Sequence, residues 1–319
     1  MKGKLVKAAA SVLLTILLFY YFYQTVDFRD VAVSMRGIRL EWMLIAALSY
    51  CMTYPARAFR IYYLTRYSGA KSFWKTLRIC FRHQFYGRII PFKVGDLTLV
   101  YLLKNMRGVS LGEGGAVLLL VRIFDGVIII LSFLICNLWV SMDVLPGWLL
   151  ILVLAAAVGT VFAAPWLISR LVLLLERIPA GRKPVVQKLI TYILQIQDMM
   201  TRSVATLKNF VVIGLTSLVM WFFVYFSMHG VILAFDQPVS FFQTVVASFL
   251  ASAAAFLPIN GIGGFGMVET GWTLGFTLLG VDKAVALSSG VASNMMSFIL
   301  ICLFGVISYI PVWGRKQYV

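Results

Sequence analysis

Apolar stretches long enough to cross a lipid bilayer recur along this sequence, and they restrict its fold more than any other feature. A membrane-spanning helix needs about 20 consecutive, mostly apolar residues. Six stretches approach or exceed this length: Leu5–Tyr23, Trp42–Leu64, Gly114–Val140, Trp148–Leu175, Phe210–Phe235 and Ala284–Val312. The composition agrees, because 61% of the residues are hydrophobic and 13% are charged, against roughly 45–50% and about 25% in a soluble domain. The sequence therefore predicts a single all-α integral membrane domain over residues 1–319, with about six full spans.

Two further apolar regions are interrupted. Region 79–103 is broken at Pro91 and Gly95, and region 241–280 is broken at Pro258 and the glycine-rich run that follows it. Each half is too short or too polar for a comfortable span. Irregular backbone at membrane depth is tolerated only where it is buried in protein or lines a polar cavity. We therefore expect two re-entrant helical hairpins, each entering and leaving the membrane on one side.

The basic residues orient these segments. They give the chain a net charge of +16, but they are interleaved with apolar spans, which favours contact with anionic lipid head groups and excludes a nucleic-acid partner. With the N-terminus inside, most Lys and Arg fall on the cytoplasmic side. This predicts a multi-pass protein of the cell (inner) membrane with cytoplasmic N- and C-termini. The basic, amphipathic loop 178–209 would also be cytoplasmic, either contacting a partner or lying on the membrane surface.

This topology makes the two halves of the chain inverted copies of one unit. The first repeat would cover residues 1–140 and the second residues 145–319, each with three spans and one hairpin. Inverted repeats with broken helices near the midplane are common in secondary transporters, whose sites lie between the repeats. Duplicated membrane folds of other functions show the same pattern, so the repeat favours transport without establishing it.

Charged residues inside the apolar segments are candidates for a substrate site. Arg122 and Asp125 are three residues apart, so they share one helix face and can partly neutralise each other. Charges at such depth usually face the bundle interior or a wet cavity, although a purely structural pair is the alternative. Arg57 and Arg60 repeat this spacing near the cytoplasmic end of the second span. They would either contact substrate or reach outward to lipid head groups.

The first hairpin is predicted to attract a phosphate. Arg82, Arg88 and Lys93 surround its break, and Asp96 follows its glycine. A cationic, partly dehydrated vestibule of this kind favours an anion, and Arg can bind two phosphate oxygens at once.

The second hairpin offers its backbone as well as a carboxylate. The glycine pattern over 261–266 formally matches a dinucleotide fingerprint, but the strand–turn–helix context of such a site is missing. Glycines still allow a ligand to approach the backbone, and a helix N-terminus favours an anion, which makes Asn260, Gly263 and Gly264 candidate contacts. Glu269 has three open roles: to accept a proton, to bind a cationic head group or to cap its helix.

No metal or cofactor is predicted. His83 and His229 are isolated, and the cysteines have no paired spacing. Gly271 and Gly275 form a GxxxG pattern, which packs either within one bundle or between the subunits of an oligomer.

Three motifs together resemble a known family. They are Pro91–Asp96, Val121–Asp125 and Pro258–Glu269, and their order and approximate spacing resemble those of the lysylphosphatidylglycerol synthase transmembrane region, also called flippase-like. The resemblance covers essentially the whole chain. The individual motifs are short, so its specificity comes from their order and from the topology around them.

The resemblance implies a function and a set of site residues. In that family the membrane region is held to flip a lipid, such as an aminoacylated phosphatidylglycerol, between leaflets, and the positions carried over are Asp96, Arg122, Asp125 and Glu269. The chain departs from the first motif at Leu99, where the family pattern has Arg. The aminoacyl-transferase domain of the full-length synthases is absent from this sequence, so we expect that the protein does not make the aminoacyl lipid.

The predicted function is therefore a lipid flippase or transporter and not an enzyme. Its partner would be a membrane lipid with a phosphate or aminoacyl head group, which enters beside Arg57, Arg60, Arg88 and Arg122. Two alternatives remain. One is an intramembrane enzyme acting on a lipid phosphate, for which the sequence holds no recognisable catalytic motif. The other is a structural subunit that organises anionic lipid or a partner enzyme.

Overall fold

The protein is built from helices throughout the part that the structure describes. This structure is a computed structural model, and it describes residues 37–69, 71–90, 94–140, 146–177, 184–256 and 266–310. Within these ranges there is no strand, and the ten α-helices are α1 Leu40–Leu64, α2 Phe73–Ile89, α3 Thr98–Arg107, α4 Leu111–Val140, α5 Gly147–Arg177, α6 Pro184–Val204, α7 Leu207–Ala234, α8 Phe241–Phe256, α9 Met267–Leu278 and α10 Lys283–Ile307. A short 3-10 turn at Val94–Leu97 precedes α3. The predicted span 5–23 lies outside the described residues.

Helices α1, α4, α5, α7 and α10 occupy the other stretches that were predicted as spans. Three of them, α4, α7 and α10, are long and apolar enough to cross a membrane. Large apolar side chains on their outer faces are exposed, such as Leu138 and Leu303, as expected where lipid replaces water around a helix bundle. The all-helical class is confirmed for the described residues, while the count of six spans stays a prediction.

A pair of helices stands at each predicted hairpin. In the first region, α2 and α3 flank the break, with α2 beginning at Phe73 because Ser72 caps it by accepting from the backbone N–H of Lys75. Helix α3 ends at Arg107 and is capped by Gly108, whose φ of 72° suits glycine. The 3-10 turn approaches α2 closely, since a Cβ atom at Gly95 would lie 2.6 Å from the Cα atom of Gly87. Re-entry into the membrane stays a prediction for both pairs.

The second pair shows how the GxxxG pattern is used. A Cβ atom at Gly275 would lie 1.9 Å from the carbonyl oxygen of Ala247, and one at Gly271 would lie 2.7 Å from that of Leu250. The two glycines therefore bring α9 against the backbone of α8. Of the two expected uses of this pattern, the structure shows packing within one bundle.

Several helices of one predicted half of the chain pack on helices of the other half. The most extensive packing joins α1 to α7, where a Cβ atom at Gly230 would lie 3.0 Å from that of Ala46. Helix α4 packs on α8, and α10 packs on α2. The last helix of each half thus supports the first helix of the other half's hairpin. Two related halves would produce such a pattern, and the division into repeats at 1–140 and 145–319 stays a prediction.

The predicted loop 178–209 contains helix α6. This helix packs on α4 and α5, and it buries Ile190, Met199 and Met200 against them and their neighbours. Lys188 lies on its exposed side. The protein itself therefore covers part of the apolar face of the helix, while Leu189 and Leu194 stay exposed. The expectation that the helix lies on the membrane surface stays a prediction.

Candidate functional site

Two ion pairs connect α1, α4 and the first hairpin. Asp125 of α4 accepts from Arg60 of α1, with 2.6 Å between Nη1 and Oδ1 and 3.4 Å between Nη2 and Oδ2. Arg122, one turn earlier on α4, pairs at 2.5 Å with Asp96 in the 3-10 turn. Arg122 and Asp125 thus each have an ion-pair partner on another segment of the chain, and their expected partial neutralisation of each other stays a prediction. The partners come from α1 and from the hairpin turn, so this pairing depends on how separate segments of the chain pack.

The Arg60–Asp125 pair is almost completely buried, with 1% and 3% of the two side chains exposed. Ser217 Oγ lies 2.7 Å from Arg60 Nη1, and Trp221 Nε1 donates to Asp125 Oδ1 at 3.1 Å. Both partners come from α7. This pair, which sequence reasoning treated as two separate substrate contacts, therefore binds α1, α4 and α7 together.

The Arg122–Asp96 pair is more open, with 35% and 21% of the two side chains exposed. It attaches the hairpin turn to α4. Thr98 supports the turn by donating to the carbonyl oxygen of Gly95 at 2.6 Å, and its hydroxyl lies 3.1 Å from Nδ1 of His83. The guanidinium of Arg122 is thus partly exposed, and an anionic ligand would have to replace Asp96 to pair with it.

A polar cavity lies between α1, α2 and α4. Its empty volume is about 420 Å³, including space open to the surroundings. Its polar lining consists of Arg57, Arg60, His83, Gln84, Arg122 and Asp125. Three guanidinium groups face one carboxylate of the lining and the adjoining carboxylate of Asp96, which leaves an excess of positive charge. We call this space the arginine cavity.

Arg57 supplies that excess. Within the described part of the chain it has no acidic partner, and its Nε is buried without a hydrogen bond. Leu99, at which the chain departs from the family pattern, is buried and lines the same cavity. An anion entering here would meet a cation on α1 and an apolar side chain on α3.

Glu269 and Arg88, one from each predicted hairpin, meet on α10. Glu269, which is 2% exposed, accepts from the backbone N–H of Gly266 at 2.7 Å and from Nδ2 of Asn294. Arg88, near the end of α2, donates to Oδ1 of Asn294 at 2.7 Å and to Oγ of Ser297 at 2.9 Å. Of the three open roles of Glu269, the geometry shows that it caps α9. Asn294 links the two hairpins. Sequence reasoning missed it, and the signal that could have found it is an amide inside an apolar span.

A second cavity adjoins this link, between α1, α7, α9 and α10, and its empty volume is about 560 Å³. Its polar lining consists of Tyr50, Arg88, Ser227, Ser293, Asn294 and Ser297. We call it the serine cavity. Hydroxyl and amide groups make up most of its polar lining, and Arg88 is its one charged side chain among the described residues.

Several predicted contacts are not part of these cavities. Lys93, Asn260, Gly263 and Gly264 lie outside the described residues. Arg82, which was expected beside the first break, instead donates to the backbone oxygen of Ser308 at 3.1 Å and lies over the ring of Tyr309. The described part of the chain holds no group of three or more potential metal ligands.

The comparisons with known proteins identify the family. The family model for the lysylphosphatidylglycerol synthase TM region matches residues 8–305. This chain belongs to that family. The membership confirms the resemblance drawn from the three motifs, and it supports an integral membrane protein with a lipid-related role. A search of curated proteins found no match.

Within the lysylphosphatidylglycerol synthase TM family, the carried-over residues fall at two places in this molecule. Asp96, Arg122 and Asp125 belong to the arginine cavity and its rim. Glu269 belongs to the link beside the serine cavity. The four motif residues therefore do not form one cluster in this structure.

Proposed function

We propose that this protein is a lipid flippase, a carrier that moves a polar or anionic phospholipid between the leaflets of the cell (inner) membrane. The observation that carries the proposal is the arginine cavity, in which three guanidinium groups lie within a helix bundle whose outer faces are apolar. Charged side chains in membrane segments are rare, and they mark substrate or ion paths. In this proposal the protein has cytoplasmic N- and C-termini and performs no chemistry on the lipid.

The lipid would divide between two environments. Its head group would occupy the arginine cavity while its acyl chains stay in the bilayer. Moving a phosphate through hydrocarbon without compensation costs many kcal/mol, because an isolated charge loses its hydration. Guanidinium groups lower this cost by supplying charge-assisted hydrogen bonds in place of water.

The pairing of the three arginines suggests which of them bind substrate. Arg60 is held by Asp125 and Ser217 and is almost inaccessible, so it would set the positive potential without touching the lipid. Arg57 has no acidic partner in the described residues, and Arg122 has a partly exposed one. A phosphate could therefore contact Arg57 directly and replace Asp96 on Arg122.

Transport of acyl-chain-labelled phosphatidylglycerol into and out of proteoliposomes tests this proposal. Wild-type protein should accelerate exchange between leaflets, and Arg122→Ala should slow it roughly ten- to hundredfold, because a charge-assisted hydrogen bond contributes about 1.5–3 kcal/mol. Arg82→Ala is the matched control, since Arg82 lines neither cavity.

Three results would contradict the proposal. Wild-type protein that moves no anionic or zwitterionic lipid, with Arg122→Ala indistinguishable from it, would exclude a flippase. Equal losses of lipid exchange in Arg82→Ala and Arg122→Ala would show that transport does not depend specifically on the arginine cavity. Labelled lipid that is chemically altered without changing leaflet would favour the intramembrane enzyme.

A further inference from the structure

Asp125 and Glu269 are both buried, but different kinds of group donate hydrogen bonds to their carboxylates. Asp125 accepts two hydrogen bonds from the guanidinium of Arg60. Glu269 accepts only from neutral groups among the described residues, the backbone N–H of Gly266 and Nδ2 of Asn294. A buried carboxylate that lacks a cation in contact loses its hydration without a matching charge, so its ionised form is costly. The contacts of Asp125 therefore favour its ionised form more strongly than those of Glu269 do.

The charged groups around Glu269 are few. Arg88 is the cation that acts on it, but it touches Asn294 and not the carboxylate. Helix α9 itself and helix α8, which packs against it, carry no other titratable side chain. Helix α10 carries Lys283 and Cys302, which lie about 16 and 12 Å along the helix from Asn294 at 1.5 Å per residue.

Two titratable groups on elements farther from α9 lie in or near the serine cavity, one on α1 and one on α7. Tyr50 of α1 lines the serine cavity together with Arg88. His229 of α7 is turned away from it, with Nδ1 lying 2.9 Å from the hydroxyl of Thr244 on α8. The charge of the serine cavity in the described structure is therefore set by Arg88 and Glu269.

Protonation of Glu269 would change the net charge in and around the serine cavity. With Glu269 ionised, its charge and that of Arg88 cancel. With Glu269 neutral, the cavity carries one positive charge, lined by the hydroxyls of Ser227, Ser293 and Ser297. Arg88 also has an unused donor, because its Nε is buried without a hydrogen-bond partner. A cation with a free donor, beside three hydroxyls, is suited to bind a phosphate monoester or diester.

We propose that Glu269 is a proton-binding site and that a proton on it turns the serine cavity into a binding site for an anionic lipid head group. One proton from water would bind a carboxylate oxygen, and one negative charge of a phosphate would then neutralise Arg88. Because linkage is reciprocal, the phosphate favours the proton as much as the proton favours the phosphate. The use of this coupling in transport rests on the proposed flippase function, whereas the proton site itself does not.

Infrared difference spectroscopy of the purified protein in nanodiscs tests the proton site without any transport. On acidification, the wild type should develop the C=O band of a buried carboxylic acid, and Glu269→Gln should lack it. Glu113→Gln is the matched control and should keep it, because Glu113 lies at the start of α4, where it accepts from Ser68 and the backbone N–H of Ser110. A band that persists in Glu269→Gln, or no band in the wild type, would overturn the proposal.

A second variant keeps the proton site testable if Glu269→Gln misfolds. Asn294→Ala keeps the carboxyl group but removes one donor to its ionised form, so the midpoint of the same band should move to higher pH. Arg88→Gln should move it in the same direction, because the positive charge that favours the carboxylate is lost. A midpoint that neither variant moves would contradict the assigned site.

Binding of dihexanoyl phosphatidylglycerol, measured by calorimetry, tests the coupling. Wild-type protein should bind it roughly tenfold more tightly at acidic than at alkaline pH, a common magnitude for two linked sites. Glu269→Gln should bind with little dependence on pH, and Arg88→Gln should bind weakly throughout. An affinity that depends on pH equally in Glu269→Gln and in the wild type would contradict the proposed coupling. A titrating carboxyl band in a protein that moves no lipid would instead contradict the flippase function alone.

Discussion

Arg60 and Asp125 show how a buried arginine is neutralised between helices of this bundle. The guanidinium is enclosed by a carboxylate and a hydroxyl, and Trp221 donates to that same carboxylate. A buried ion pair of this kind adds little net stability relative to apolar residues, but removal of one partner leaves an unpaired charge. Its contribution is therefore the fixed geometry of three helices around the arginine cavity.

The pair makes a double-mutant cycle informative. Asp125→Asn should destabilise the protein by about 3–5 kcal/mol, because it leaves the buried Arg60 charge uncompensated. Combining it with Arg60→Met should recover much of the loss, because both charges are then removed together. Thermal unfolding in detergent measures both effects. Additive losses in the double variant would mean that the two side chains do not act as a pair.

Sequence spacing alone could not predict which charges pair at this scale. Arg122 and Asp125 were correctly expected on one helix face, since that follows from the helical repeat. Their partners come from α1 and from the hairpin turn, so the pairing depends on how separate helices cross. Asn294 was missed for a related reason. A single amide in an apolar span becomes notable only when Arg88 and Glu269 are seen to meet on it.

At the scale of single elements, close backbone contact decides how the second helix pair is built. Helix α9 approaches α8 through two glycines, and a Cβ atom has no room at either position. The GxxxG pattern predicted tight packing from the sequence. It did not indicate the partner helix, because a glycine face carries no side chain that would distinguish one neighbour from another.

Gly275→Ala should therefore separate these two helices. Its Cβ atom would lie 1.9 Å from a carbonyl oxygen, and overpacking of this kind typically costs about 1–3 kcal/mol or more. Gly126→Ala in α4 is the matched control, because a Cβ atom there meets nothing within 4 Å. It should be neutral or slightly stabilising in the same thermal unfolding measurement. Equal stability of the two variants would contradict the close contact between α8 and α9.

At the scale of the whole molecule, hydrophobic stretches and breaks predicted most of the architecture. The five predicted spans that fall within the described residues are all helices, and both broken regions contain a helix pair. The packing of α6 on α4 and α5 was not predicted. An amphipathic helix needs something to cover its apolar face, and the sequence did not distinguish the membrane surface from a neighbouring helix.

The orientation of the whole molecule can be measured at the two ends of α7. Lys208 and Asp236 are both exposed, and the positive-inside rule places Lys208 in the cytoplasm and Asp236 outside. In a cysteine-free background, a membrane-impermeant maleimide should label Asp236→Cys in intact cells. It should label Lys208→Cys only after the membrane is opened. The reverse pattern would invert the topology and with it the expected position of both termini.

The Arg60–Asp125 pair also constrains how the protein is made. The two residues are 65 positions apart, so at roughly 5–20 residues per second Arg60 leaves the ribosome about 3–13 s before Asp125. During that interval α1 must enter the membrane with an unpaired guanidinium, at a cost of up to about 2.5–3.5 kcal/mol. Only the insertion of α4 removes this penalty. Biosynthesis would therefore pass through a half-inserted chain that insertion factors or quality-control proteases could recognise by its unneutralised charge.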